Sequence, residues 1–430
     1  MDDYKIIHDP VHGSIKVKGI LLELLQTPEV QRLALIRQTG LAYLVFPGAN
    51  HTRIEHSLGT AHVAGRVGRE LQLEPEEGNL LQAAAMLHDL GHYPFSHTLE
   101  YLVSDRTDSD HMRLTSDLVT GKIERDEEFH TPQICEILEG SGLDPEKVAR
   151  LIEGSPSSDQ TTIDNLPIHN GQSHFGSPSY IENLMHGTVD VDQMDFLPRD
   201  SHYTGVALGS LDLDRLINTF QLHNHELVIH RRGLPALEGM LVARGLMYSS
   251  VYFHKTVRIA ELMLARAVEL LDDVEDIIRM TDPELLCYLS HKTPDVVKRI
   301  KYRNLFKRAF TVPRGDKDQI DVDELKRLGD HRVRSRLEDE LCDRARIPRT
   351  ELLVDIPAPE IDLSEPRLGR TDIKIMDRSP KPLSRMSSLA RALKTRPVPD
   401  WALMVACSEK HRERVEKVSR KHFEGWMKNE

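Results

Sequence analysis

Apolar residues recur at spacings of three and four through most of the first 310 positions, the pattern of helices with one covered face. In "NLLQAAAMLHDL" (79–90), Leu80, Ala84 and Leu87 fall on one side, and "TAHVAGRVGRELQ" (60–72) repeats the pattern. Gly91 and Pro94 then break it, because glycine suits the position past a helix end and proline cannot continue one. His88 and Asp89 are thereby placed on the last turn of a helix, where a packed core would want leucines. A run rich in Ser, Asn, Gly and Pro over 154–179 reads as a long loop before a helix at "YIENLMHG" (180–187). Alternation replaces the helical period at "HELVIHRRG" (225–233), which predicts a short strand pair, and helices resume to about residue 310.

Beyond residue 310 the texture changes. "ELLVDIPAP" (351–359), "DIKIMD" (372–377) and "WALMVACS" (401–408) are short apolar runs with the length of strands, interleaved with helical "SRMSSLARALKT" and "SEKHRERVEKVSRKHF". The pattern predicts a mainly α fold. A helical domain covers 1–310, with its core at about 50–205, and a smaller C-terminal α+β domain of undefined role covers 311–430, its strands packed on two helices.

Composition narrows the class. At 430 residues the chain is long for one hydrophobic core, and with 39% hydrophobic and 29% charged residues it reads as an ordinary folded protein. The four cysteines, Cys135, Cys287, Cys342 and Cys407, stand far apart without a CxxC pair, so they suggest buried thiols and no thiolate metal site. The start shows no basic-then-apolar leader and the chain has no long apolar run, so the reading is cytoplasmic with no membrane partner. A net charge of −12 argues against general duplex DNA binding, which needs many cationic contacts to phosphate. A local basic run, "KRIKYRNLFKR" (298–308), could still meet a small polyanion, although such runs are usually the wet face of a helix.

A divalent ion needs several lone-pair donors converging from rigid elements, and imidazole with carboxylate is the usual mixed set for Fe, Mn, Zn or Ni. The doublet His88–Asp89 offers part of such a set. "HTRIEHSLG" (51–59) and the acid-dense "VDVDQMDFLPRD" (189–200) offer the rest. A lone histidine among 22 carries little, but the conjunction of these stretches favours a metal site. Asp195 and Arg199 are four apart on an expected helix, the spacing of a structural ion pair.

Taken in order, "NHTRIEHSLG", "HDLGHYPFSHTLE" and "VDVDQMDFLPRDSHYTG" resemble the HD-domain phosphohydrolases, in the branch of the deoxynucleoside triphosphate triphosphohydrolases. The opening "IHDPVHGSIKV" and the stretch 28–59 extend the resemblance over residues 5 to about 255. It implies an HD-domain helical bundle in which His56, His88, Asp89 and Asp192 hold one divalent transition metal (Mn, Fe, Ni or Zn), with additional Mg accompanying the nucleotide. His51 and His62 would be spectators, and Asp190 and Asp195 would support Asp192. The resemblance further implies His92 and His97 on phosphate and Glu100 with His111 as a carboxylate–histidine pair for proton transfer. Arg53 and Arg244 would clamp phosphate, Gln38 and Asp200 would touch the sugar, and Tyr252 would lie beside sugar or base. The implied reaction is attack of metal-activated water on the α-phosphorus, releasing nucleoside and triphosphate, in a homo-oligomer.

Several positions depart from that branch. Glu100 stands where an Asp is usual, Gln193 where a phosphate-binding Lys can stand, and Phe196 where a Tyr packs on the sugar. Thr39 replaces an apolar residue and Tyr248 a His. Gln26 and Ala34 replace the acid and arginine that hold a nucleotide activator, so that site is not carried over. Two rival readings follow. One keeps the metal chemistry on a nucleoside monophosphate, a phosphodiester or another phosphoester. The other is a nucleotide-sensing protein without catalysis.

Overall fold

The computed structural model describes residues 3–107, 110–123, 131–154, 179–271, 274–313, 327–357, 373–393 and 401–424, apart from a few side chains, among them that of His97. The expected long loop at 154–179 lies almost wholly outside the described residues. The chain opens with a hairpin, β1 (Tyr4–Asp9) and β2 (Gly13–Lys18), paired antiparallel from Tyr4↔Lys18 to Asp9↔Gly13. One oxygen of Asp9 accepts the main-chain N–H of Val11 and of His12, at 2.9 and 2.8 Å, which fixes the turn. Two short helices follow, α1 (Ile20–Leu25) and α2 (Pro28–Arg32).

The bundle is built on α3 (Arg53–Glu70) and α4 (Pro75–Leu87), which pack along one another. Helix α3 starts where it does because Glu55 accepts from both the main-chain N–H and the hydroxyl of Thr52, a capping box. From Leu80 onward α4 is buried all round except at Gln82, so it is a central helix, and its alanines let neighbours approach. It ends at Leu87, with His88 as its cap and Asp89 in the turn beyond, slightly earlier than the apolar spacing predicts. Around this pair lie α5 (Glu100–Thr107), α6 (His111–Val119), α7 (Ile134–Gly140), α8 (Pro145–Glu153), α9 (Ser179–His186) and α10 (Val191–Thr204).

After α11 (Leu213–Ile217) the expected strand pair appears, shifted: β3 (Phe220–His223) precedes β4 (Glu226–His230). Their two-residue turn puts Asn224 and His225 at φ 50° and 61°, the geometry a tight hairpin demands. Then come α12 (Leu234–Met247), which runs into a π-helical turn over Tyr248–Tyr252, and α13 (Lys255–Glu269), α14 (Asp282–Lys292) and α15 (Pro294–Lys301).

The last part of the chain divides between two sheets. β5 (Lys307–Pro313) and β6 (Leu352–Asp355) flank β9 (Trp401–Cys407) in an antiparallel sheet under α16 (His331–Ala345) and α19 (Arg412–His422). β9 is buried at every position because Leu403, Val405 and Cys407 face those helices while Met404 and Ala406 face the core that contains α13. The strand expected at 372–377 does not join it. Instead β7 (Lys374–Met376) pairs in parallel with β4 and antiparallel with β8 (Pro380–Pro382), and α17 (Leu383–Met386) and α18 (Ser388–Leu393) follow, α18 packing on α12. Ile375, Leu383 and Ala390 thus enter the core of the helical bundle, across the boundary at residue 310 that the sequence texture suggests. No helix among the described residues is long and apolar enough to cross a membrane.

Helix α3 meets α10 at Gly59, where a Cβ would fall 1.9 Å from Asp195 Oδ1 and 2.3 Å from an Arg199 nitrogen. Both side chains are fully buried and bonded, so neither can step aside. Gly59→Ala is therefore expected to destabilise the protein by about 1–3 kcal/mol or more, as overpacking does, read from the denaturant midpoint at unchanged slope.

Candidate functional site

The elements above bring His56 from α3, His88 from the end of α4 and Asp192 from the first turn of α10 together, with Asp89 beside them. His56 Nε2 stands 3.0 Å from Asp192 Oδ1 and 3.8 Å from Asp89 Oδ2. His88 Nε2 stands 3.3 Å from Asp89 Oδ1 and 3.8 Å from Asp192 Oδ1. Ligands sharing one ion at about 2.0–2.2 Å lie roughly 3 Å from one another, so these spacings suit a common cation. Ligand atoms of His56, His88 and Asp192 all fall within 4.8 Å of each other.

The backs of the imidazoles support the same reading. His56 Nδ1 is bonded to Asp195 Oδ2 at 2.7 Å, and His88 Nδ1 to the carbonyl of Ala85 at 2.9 Å. With an ion at the shared point, each ring would donate from Nδ1 and turn the lone pair of Nε2 to it, as metal-binding histidines do. Burial alone would push His56 down, but its hydrogen bonds to Asp192 and Asp195 outweigh this and lift it to about 10. A point between carboxylates that favours positive charge so strongly is suited to a divalent ion.

The resemblance implies that Asp195 supports Asp192; its bond within the cluster is to His56. Its oxygens accept from His56 Nδ1, His12 Nε2 (2.6 Å) and Arg199, whose Nε and Nη2 lie at 2.8 and 2.9 Å. The expected Asp195–Arg199 pair is thus present, and Arg199 Nη1 continues to Asp9 Oδ2 at 2.7 Å. Burial would raise Asp195, but Arg199 and the His12 and His56 hydrogen bonds hold it well below the usual carboxylate range. Asp190 caps α10 by accepting from the Gln193 main chain at 2.8 Å and holds the Gln193 amide, also at 2.8 Å.

The other expected site residues fall in two groups. Arg53 is 2% exposed and donates from Nη1 to Asp89 and from Nε to Ser96 Oγ at 2.8 Å, so its guanidinium orients the Asp89 carboxylate. Against burial, Arg53, His88 and His92 together keep Asp89 well below its ordinary value. His92 Nε2 lies 3.2 Å from Asp89 Oδ1, and its ring stacks on His111 at 4.2 Å and 16°. Burial, Arg53 and His111 push His92 well down, so it is neutral. His111 Nδ1 bonds Glu100, so the longer Glu arm does close the pair. The side chain of His97 lies outside the described residues.

On the far side, Asp200 is buried, with Oδ1 bonded to His51 Nε2 at 2.7 Å and Oδ2 accepting from Tyr252 at 2.5 Å. His51, which stands outside the candidate metal cluster, also stacks on Tyr203 at 4.4 Å. Phe196 lies edge-on between the groups, 6.4 Å from His56 and 6.1 Å from Tyr252. Asp192, Phe196 and Asp200 share one face of α10 and span about 12 Å at 1.5 Å per residue. Arg244 is 5% exposed and donates to Gln193 Oε1 at 2.9 Å, while its Nε has no hydrogen-bond partner. The buried oxygens Gln38 Oε1 and Thr39 Oγ1 have none either. The basic run at 298–308 contributes Arg303, Lys307 and Arg308 to a separate cavity of about 230 Å³, lined also by Lys255 and Arg412 and by none of the residues above.

Sequence reasoning missed His12, Asp9 and the role of His51. The stretch "IHDPVHG" carried the only signal, an Asp and two histidines around a turn, and nothing local says that the turn docks on α10.

Residues 53–197 match the HD domain and residues 211–427 the HD associated region. An uncharacterised protein of Methanocaldococcus jannaschii is 32% identical over 416 residues, covering 93% of this chain and 78% of its own length. The human deoxynucleoside triphosphate triphosphohydrolase SAMHD1 is 31% identical over 353 residues, 71% of this chain; the matched chain spans 55% of the human protein. Among solved structures, a hypothetical protein from Aquifex aeolicus superposes with a TM-score of 0.71 at 27% identity, over 97% of this chain and 100% of that one. A phosphohydrolase from Bacteroides thetaiotaomicron shares the fold, with a TM-score of 0.66 at 24% identity over 95% of this chain and 100% of its own. With both regions matched in order over most of its length, the chain belongs to the HD-domain phosphohydrolase superfamily.

Proposed function

We propose that this chain hydrolyses deoxynucleoside triphosphates to deoxynucleoside and triphosphate. The observation that carries the reading is Arg244. Its guanidinium is buried, bonded to the neutral amide of Gln193, the neighbour of Asp192 on α10, and 5.6 Å from the Tyr248 ring, and among the described residues it has no carboxylate within ion-pairing distance. An unpaired buried cation is costly, and a phosphate group is the partner that guanidinium geometry fits best. A divalent ion held by His56, His88, Asp89 and Asp192 would supply Lewis acidity, lowering the pKa of water and neutralising a phosphoryl oxygen. Manganese, iron, nickel or zinc suits that donor set, and Mg would accompany the nucleotide.

The chain's own groups do the rest. Glu100 fixes Nδ1 of His111, so proton exchange with the leaving oxygen falls to Nε2. His92, neutral and stacked on His111, keeps that ring in plane and presents an uncharged face to phosphate. Asp200, held by His51 and Tyr252, offers a fixed acceptor to a sugar hydroxyl about two helical turns from the ion. A second reading, a monoesterase, draws on Gln193, which brings no positive charge where a lysine would.

Purified protein incubated with Mn and each deoxynucleotide should release triphosphate and nucleoside. Free phosphate from monophosphates alone would favour the second reading, and turnover of no nucleotide would reject both. Arg244→Ala should lower kcat/KM by about 10–100-fold, the worth of a charge-assisted bond, with ion affinity unchanged. Asp195→Asn should weaken ion binding by about 10–100-fold in chelator competition while helicity persists; equal affinity would refute the support role of Asp195.

A further inference from the structure

The loop from His92 to Ser96 adopts an unusual path. Phe95 and Ser96 have φ of 56° and 55°, left-handed conformations that side chains other than glycine adopt at a cost. Something must hold them there. Asp282, in the first turn of α14, is fully buried and accepts two main-chain N–H groups, that of Phe95 on Oδ1 at 2.7 Å and that of Arg37 on Oδ2 at 3.0 Å. Arg32, at the end of α2, donates to the carbonyl of His92 at 3.0 Å. Its remaining donors take the carbonyls of Ile278 (3.2 Å), Arg279 (3.0 Å) and Met280 (2.7 Å), in the turn that leads into Asp282.

The loop is tied onward as well. Ser96 Oγ accepts from Arg53 Nε at 2.8 Å and donates to the Arg37 carbonyl at 3.1 Å, and Arg53 grips Asp89. One continuous set of bonds therefore runs from the 278–282 turn, which lies in the HD associated region, to a residue of the ligand cluster in the HD domain.

We propose that Asp282 and Arg32 are positioning residues: acting from outside the HD domain, they clamp the His92–Ser96 loop into its left-handed turn and so set the phosphate side of the site. The inference rests on the reading of that loop as part of the active site. A carboxylate is required at 282, because both oxygens face N–H donors. An amide could serve one of them and would turn its own N–H toward the other. At position 32 a lysine keeps the charge but cannot fork onto carbonyls on two sides.

The test is hydrogen–deuterium exchange of the full chain, well below its melting temperature, on wild type, Asp282→Asn and Arg32→Lys. The peptide spanning 90–99 should exchange about tenfold faster in either variant, while peptides from α3 stay within about twofold and Mn affinity within about threefold. On a substrate the wild type turns over, kcat/KM should fall by about tenfold. Unchanged exchange at 90–99 in both variants, or an equal rise across α3, would overturn the clamp. Should Asp282→Asn fail to fold, Arg32→Lys decides by the same measurement. If wild type hydrolyses no nucleotide, the proposed activity falls, and the exchange result still decides the clamp.

Discussion

Asp195 is a carboxylate with no exposure at all, and a buried charge of this kind persists only if its neighbours meet it completely. The partners come from three parts of the chain: His12 on the hairpin, His56 on α3 and Arg199 one turn further along α10. Each must therefore sit where the others require. The hairpin has to dock on α10, α3 has to approach closely enough that only a glycine fits at 59, and α10 has a single rotation available. That rotation aims Asp192 at His56 and Asp200 at His51 and Tyr252. The ligand cluster and the opposite polar pair are thus consequences of one buried charge balance.

A second division of labour concerns the arginines. Arg53 and Arg199 are both nearly inaccessible and both spend their charge on protein carboxylates, Asp89 in one case and Asp195 with Asp9 in the other. Their guanidinium groups organise ligands and leave little charge for a substrate. Arg244 differs, being equally deep but bonded only to an amide. On the proposed reading, positive charge for a phosphate chain is then concentrated on the helix that runs into the π-helical turn at Tyr248–Tyr252, a distortion that often marks functional segments.

Much of this was legible in the chain. The helical period of 79–90 located α4, and the breakers Gly91 and Pro94 put His88 and Asp89 at its end, because local propensity and pattern agree there. The strand "WALMVACS" was readable as a short apolar run with the length of a strand. What the sequence hid is long-range. The pairing of β7 with β4 joins residues about 145 positions apart, and the bonds of Asp282 to Phe95 and Arg37 span even more. No local spacing encodes which carboxylate will meet which amide across such distances. Arg53 shows the same limit: its motif marks it as a site residue, but only the packing decides that its partner is Asp89.

Gln193 looks at first like a loss, an amide where a lysine would add charge for phosphate. Its surroundings argue otherwise. Asp190 holds the Gln193 N–H₂ group while capping α10, which turns Oε1 toward Arg244. A lysine in this position would have Asp190 as its nearest partner and would face Arg244 with a like charge, so part of the added charge would be cancelled and the rest would repel. The amide instead accepts one donor of Arg244 and leaves the charge of the guanidinium intact, with Nε still unbonded. On the proposed reading, the substitution moves the phosphate-binding burden onto one oriented arginine. Phosphate affinity should then depend on the Asp190–Gln193–Arg244 alignment more than on the number of cations around the site.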